Sequence, residues 1–328
     1  MTPVGSGAAQ PSLGLIIPTS TQGELVPEGG STSGTTDGAP AVAELCRRAE
    51  AAGADTLWAT DHLFWPHPIA EPLTTLAVAA AATTRVRLGT CVLQLPLRQP
   101  AAVAKQAMAL QVLSGGRFVL GLGVGSHEPE YVNAGVDFHR RGRLMDEGVA
   151  RLHAAWDAPA DYVQAPAGPP VPLWFGGASA AARRRAAAVG DGWIPLFVTP
   201  SEFAESLAAL RRETEEAGRD PEGVEPAVVV FACVGDDDET QTRGAAWLAQ
   251  LYRLPAKSFR RHLVAGPPEV CAAELARFAD AGARHIAVMV AGSPALEHFA
   301  RLRTAYAGDD GAAAGGAGAP RVLAGVPA

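Results

Sequence analysis

Four short stretches of this 328-residue chain set chemically able side chains beside residues that turn the backbone. In LWATDHLFWPHP (57–68), an apolar run ends in Asp61 and His62 and is then broken by Pro66 and Pro68. An imidazole can take or give a proton near neutral pH, and a neighbouring carboxylate can fix its tautomer. The same pair could equally do no more than cap a helix. In RLGTCVLQLPLRQP (87–100), Gly89, Thr90 and Cys91 interrupt a β-rich run, as they would at a bulge or where backbone closely approaches a ligand; an ordinary buried strand is the plainer reading. No base or helix start adjoins Cys91 to lower its pKa, so a nucleophilic thiol is not expected there.

In LSGGRFVLGLGVGSHEPEY (113–131), Gly115 and Gly116 stop a helix, a strand follows, and Gly121, Gly123 and Gly125 lead into Ser126, His127 and Glu128. The spacing lacks the third glycine of a dinucleotide-binding loop, which argues against a Rossmann phosphate site. A glycine-lined opening that admits a flat ring is the functional alternative, and solvated loop residues are the bland one. In PLWFGGASAAARRRAAAVGDGW (172–193), Gly176, Gly177, Ala178 and Ser179 lie between a strand and an alanine-rich helix. Free amides and a hydroxyl at such a helix start suit a phosphate, and Ser179 as a simple cap suits the pattern as well.

Composition narrows the chemistry. With 27 Lys+Arg against 34 Asp+Glu the formal charge is -7, so no broad cationic surface is expected for nucleic acid. Cys46, Cys91, Cys233 and Cys271 are far apart and form no CxxC pair; His62 and His67 have no metal spacing, and no metal is expected. Lys105 and Lys257 are the only lysines and neither lies in a motif, which disfavours Schiff-base chemistry. The first residues lack a signal peptide's basic and apolar regions, and the most apolar stretch is broken by Thr83, Thr84, Arg85 and Arg87. A soluble cytoplasmic protein with no membrane partner is expected.

These motifs need a scaffold, and the pattern supplies one. Eight short apolar runs alternate with helical periods: LGLIIP, TLWAT, VRLGTCVL, RFVLGLG, VPLWFG, GWIPLF, AVVVFACV and HIAVMV. Val42, Leu45, Cys46 and Ala49 share one helical face, as do Phe203, Leu207, Leu210 and Thr214, with Gly53 and Gly218 as stops. Such a series predicts an α/β fold, a (β/α)8 TIM barrel over 13–306 with insertion loops at its C-terminal face, where functional residues of barrels gather. Long irregular loops are expected at 18–40, after the fourth strand and at 251–266. Residues 1–12 read as a flexible arm and 307–328 as a disordered tail. Arg253, Lys257, Arg260, Arg261 and His262 form a basic cluster that is either a solvated face or a greeting for an anionic group.

Together, LWATDHLF, EPLTTLAVAAAATTRVRLGTCVLQLPLRQPAAVAKQ, LSGGRFVLGLGVGS with EPEY, FHRRGRLMDE and the 172–193 stretch resemble the luciferase-like superfamily, in its coenzyme F420-dependent branch, across 13 to about 305. The resemblance implies a (β/α)8 barrel that transfers a hydride between the deazaflavin C5 and a small organic substrate. It implies His62 at the reacting edge of the ring and Asp61 in contact with the ring system. Cys91 and Val92 match the bulge, often a cis peptide, that backs the ring, and Gly125, Ser126 and His127 line its other side. Gly176, Gly177, Ala178 and Ser179 match the phosphate site, and a homodimer is the expected assembly. An FMN-dependent monooxygenase and a non-catalytic cofactor- or metabolite-binding barrel are the alternatives. Two departures bear on substrate: Ser126 stands where sugar-phosphate-oxidising members have an acid, and residues 156–173 are shorter and richer in proline.

Overall fold

The computed structural model describes residues 10–19, 38–157 and 168–308. The chain runs β1 (Ser12–Ile16), α1 (Gly38–Ala51), β2 (Thr56–Ala59), α2 (Pro72–Ala82), β3 (Arg87–Thr90), β4 (Leu93–Gln94), α3 (Pro100–Leu113) and β5 (Phe118–Gly123). It continues through α4 (Glu128–Asn133), α5 (Arg141–Asp157), β6 (Leu173–Gly176), α6 (Ala180–Val189), β7 (Gly192–Ile194), α7 (Pro200–Glu216) and β8 (Glu225–Val234). It ends with α8 (Thr240–Tyr252), β9 (Leu263–Gly266), α9 (Pro268–Asp280), β10 (His285–Val290) and α10 (Ala295–Ala307). Parallel pairing runs β10-β1-β2-β3-β5-β6-β7-β8, and β8 pairs β10 to close the ring. This is the (β/α)8 barrel that the eight apolar runs predict.

Closure follows from a period of two along each strand. Leu13, Leu15, Leu57, Leu88, Phe118, Leu120 and Leu173 pack outward in the large core between sheet and helices. Their alternates, Ile16, Trp58, Val119, Trp174, Ile194, Val229 and Ala287, fill the barrel interior. Bulk inside is concentrated in two tryptophans, and Gly89 on β3 gives them room: a Cβ there would lie 2.1 Å from the Trp58 ring. Trp58 and Trp174 meet at 5.3 Å between centroids, and the Trp58 indole donates to His285 Nε2 at 2.9 Å. The helices carry the expected faces: Phe203, Leu207, Leu210 and Thr214 are buried on α7, which starts in a capping box of Thr199 and Glu202.

The 251–266 segment differs from the expected irregular loop. It holds a short 3-10 turn, Ala256–Ser258, and the strand β9. β7 pairs β8 only at Glu225 and Pro226, so the β8 edge from Phe231 to Val234 is left open, and β9 takes it. Four residues of LVAG carry too little alternation to read as a strand; the vacant edge makes them one. The expected irregular loop after the fourth barrel strand instead holds α4 and a 3-10 turn at Phe138–Arg140; 20–37 of the first expected loop and the ends 1–9 and 309–328 lie outside the described residues, as do residues 158–167. No helix among the described residues is long and apolar enough to cross a membrane, and no metal-holding cluster occurs among them.

Candidate active site

Where β2 ends at the barrel's C-terminal face, the chain turns outward and Asp61 and His62 part company. The Asp61 carboxylate is buried and points into the wall: it accepts the Gln94 backbone N–H at 2.8 Å and pairs with the Arg98 guanidinium, which also reaches Glu71 at 3.1 Å. Burial pushes the Asp61 carboxyl above its ordinary value, and the Arg98 charge works against that rise. In this arrangement Asp61 anchors the start of the loop and fixes β4 against it.

His62 is held differently. Its Nδ1 lies 3.0 Å from Glu130 Oε2, and its ring stacks on Trp65 with centroids 3.9 Å apart. Glu130 sits on the short helix α4 with its side chain fully buried, and accepts four donors: His62, the Leu63 and Phe64 backbone amides, and Gln94 Nε2 at 3.0 Å. Burial alone would raise this carboxyl, but the bonds from His62 and Gln94 outweigh it and hold Glu130 below its ordinary value. An ionised Glu130 fixes the tautomer. Both hydrogens of the Gln94 amide are spent on Asp61 O and Glu130, so the hydrogen on His62 Nδ1 is its own, and Nε2 is the atom free for chemistry.

His62 lines a cavity of about 60 Å³ together with Trp65, Ile69, Trp247, Leu251, Tyr252 and Met289. Among the described residues, none that lines it is an aspartate, glutamate, lysine or arginine. Trp65 is braced by its indole N–H on the Leu251 carbonyl at 3.1 Å and meets His127 and Tyr252 edge-on at 5.0 and 6.2 Å. Phe197, Phe231 and Phe259 continue this aromatic wall around Tyr252.

The remaining expected residues are distributed around the same face. The Cys91–Val92 peptide is cis, and these two residues interrupt β3 and β4. Val92 projects into the barrel over β5 and β6: a Cβ on Gly123 would lie 2.3 Å from its Cγ2. The glycine run of β5 therefore accommodates the bulge, where the sequence alone suggested an opening for a ligand. Burial pushes the Cys91 thiol up to about 12, so it is not a thiolate near neutral pH. Gly125 has φ +68° and packs on the Gln94 amide, Ser126 is exposed, and His127 is the residue before α4. Gly176 meets Val92, Gly177 has φ +111°, and Ala178 and Ser179 are exposed. The Ser179 hydroxyl accepts the Ala182 N–H at 3.2 Å, a cap on α6. Arg261 of the basic cluster pairs with Glu202. Sequence reasoning did not single out Glu130, Gln94, Arg98 or Trp65. The available signal was a glutamate at the third position of EPEY, two residues from an exposed Glu128, with nothing local to show that it is buried.

Comparison with known proteins agrees with this architecture. The chain is 29% identical over 258 residues to the phthiodiolone/phenolphthiodiolone dimycocerosates ketoreductase of Mycobacterium tuberculosis, covering 66% of this chain and 67% of that one. Among solved structures it superposes on an F420-dependent secondary alcohol dehydrogenase with a TM-score of 0.75 at 19% identity, covering 90% of this chain and 98% of the other. The monooxygenase RslO1 from Streptomyces bottropensis gives a TM-score of 0.74 at 19% identity, over 89% and 96% of the two chains. At such identities these structures speak for the fold. Residues 13–253 match the luciferase-like monooxygenase family, and the chain belongs to it.

Proposed function

We propose that this chain is an oxidoreductase that uses coenzyme F420 to move a hydride to or from a small organic substrate, with His62 at the reacting edge and FMN as the alternative cofactor. The observation that carries this reading is an imidazole oriented by a buried carboxylate through Nδ1, beside a cavity whose described lining is largely apolar and aromatic. The aromatic side chains of Trp65, Trp247 and Tyr252 in the lining suit a planar ring; Val92 of the Cys91–Val92 bulge projects into the barrel over Gly123 and Gly176, outside that lining. The phosphorylated arm would be held at Gly176, Gly177, Ala178 and Ser179. When bound, the deazaflavin supplies a hydride at C5 and disfavours oxygen chemistry, which FMN would permit.

The chain's own residues do the rest. His62 Nε2 takes or gives the proton that accompanies hydride transfer, and Glu130 stabilises the charge that the ring acquires as it does so. Apolar walls exclude water, which strengthens that electrostatic pairing. The same fold serves an F420-dependent alcohol dehydrogenase and a monooxygenase in complex with FMN, so the deazaflavin and FMN stand as the two outcomes to be tested.

Equilibrium titration with oxidised coenzyme F420 and with FMN tests the choice. Micromolar FMN binding with no deazaflavin binding overturns it in favour of a monooxygenase. His62→Ala is expected to abolish turnover while leaving cofactor affinity within about threefold, because the imidazole acts on protons and the rest of the site does the binding. A barrel that binds cofactor with no turnover in the unsubstituted chain is a carrier.

A further inference from the structure

Most helices around the barrel pack side against side, among them α1 on α2, α2 on α3, α3 on α5, α6 on α7 and α9 on α10. Between α5 and α6 that packing is thin, and a clasp stands in its place. The Arg185 guanidinium on α6 bonds both oxygens of Asp146 on α5, at 2.5 and 3.2 Å, and the Gly142 carbonyl at 3.1 Å. Beside the clasp, the two helices and Phe175 of β6 border a groove of about 460 Å³. This is the size of a small-molecule site, and the groove shares no lining residue with the cavity beside His62.

Its walls are of two kinds. Val149, Ala150, Phe175, Ala181, Ala188 and Val189 supply apolar surface, and Asp146, His153, Arg184 and Arg185 supply the polar side chains. Asp146 and Arg185 are spent on each other. In the run Arg183-Arg184-Arg185, Arg183 pairs with Glu213 on α7 and Arg185 with Asp146 on α5, while Arg184 has no ion pair among the described residues. His153 Nε2 is shielded from solvent and has no hydrogen-bond partner among them either. A polar atom cut off from water without a partner is costly, so a group that gives it one is favoured there. The groove therefore combines an apolar floor, one uncompensated positive charge and one imidazole that lacks a partner.

We propose that the α5–α6 groove is a second binding site, for a monocarboxylate with an apolar body. Arg184 takes the carboxylate, His153 turns its ring to bond the same group, and the hydrocarbon lies against Val149, Phe175 and Ala188. One planar guanidinium matches the two oxygens and the single charge of a carboxylate, whereas a phosphate monoester brings close to two charges for one uncompensated arginine. The apolar floor favours an acid with a hydrocarbon body over a bare anion such as acetate. None of these residues belongs to the redox site proposed above, so the inference stands apart from that reading.

Calorimetric titration of the full chain with octanoate, 1-octanol, octyl phosphate and acetate tests the inference. Octanoate is expected to bind about three- to fivefold more tightly than 1-octanol, the contribution of a partly exposed ion pair, and more tightly than octyl phosphate. Acetate is expected not to bind at concentrations that saturate octanoate. Arg184→Gln should remove the preference for octanoate and leave 1-octanol within about twofold, since it deletes a charge and no apolar wall. Ala188→Trp, which fills the groove from an exposed position, should block both probes. Arg184 and Ala188 are both exposed, so each variant should melt within about 1 °C of the parent. In protein labelled with ¹⁵N-histidine, octanoate should move the His153 signal and leave that of His62 in place. Absence of octanoate binding, parity with 1-octanol, tighter octyl phosphate, saturable acetate, undiminished octanoate affinity in either variant, or movement of His62 in place of His153 each overturns the inference. Octanoate binding at His153 in a chain that takes neither F420 nor FMN removes the redox reading alone.

Discussion

Glu130→Gln is the substitution that most directly probes how His62 is held. One Glu130 oxygen accepts the Leu63 and Phe64 amides, the other His62 Nδ1 and Gln94 Nε2. Glutamine keeps one carbonyl oxygen and turns the other position into an NH₂ that faces two donors. Whichever way the amide is placed, one pair of bonds is lost. Hydrogen bonds to charged groups contribute about 1.5–3 kcal/mol each, and the two share an acceptor, so their loss is expected to cost about 3 kcal/mol. At about 2 °C per kcal/mol for a domain of this size, the melting temperature should fall by roughly 6 °C. Glu128→Gln, at an exposed position on the same helix, should leave it within about 1 °C. The more specific readout is the imidazole itself. In protein labelled with ¹⁵N-histidine, His62 should show the hydrogen on Nδ1, and Glu130→Gln should convert that signal to a tautomer mixture. An unchanged melting curve together with an unchanged His62 tautomer would refute the reasoning, because both follow from the same four bonds.

Three further outcomes are expected. Burial pushes His285 down to about 3 in the folded barrel, whereas the unfolded chain takes up its proton near 6.5. The unfolded state therefore binds the proton first, and stability should fall with decreasing pH from about 6.5 toward 3, by at most about 1.4 kcal/mol per unit from this group; denaturant titrations across that range should show a flatter slope for His285→Gln. Arg98→Ala strands the buried Asp61 carboxylate and should cost about 3–5 kcal/mol by chemical denaturation, with Asp61→Asn/Arg98→Ala recovering part of it. Gly123→Ala places a methyl against Val92 Cγ2 and should cost about 1–3 kcal/mol, and Val92→Ala in the same chain should relieve it; a Gly123→Ala protein as stable as the parent would show that Val92 does not occupy that space.

Much of the fold is legible from order and period alone. All eight barrel strands fall on the apolar runs read from the sequence, because alternation along a strand is a local property that survives without knowledge of its neighbours. β9 is not legible, since it exists only because β8 outruns β7. The site divides in the same way. Asp61 and His62 stand out where an apolar run stops at two prolines, and the 91–92 interruption shows in Gly89, Thr90 and Cys91. That Asp61 would turn to Arg98 while His62 would turn to Glu130 is written nowhere nearby.

Sequence by itself determined the strands, the helix faces and the loop end at which an imidazole emerges, all of which depend on residues within a few positions of one another. Only the closed barrel decided the rest. It brings α4 across to the β2 loop, so that Glu130 meets His62 over a separation of 68 residues, and it folds the end of α8 over Trp65 so that Leu251 and Tyr252 complete the wall. Such partnerships are fixed by the shape of the barrel mouth, where the ends of distant elements converge and a buried carboxylate must find its donors among whatever arrives beside it.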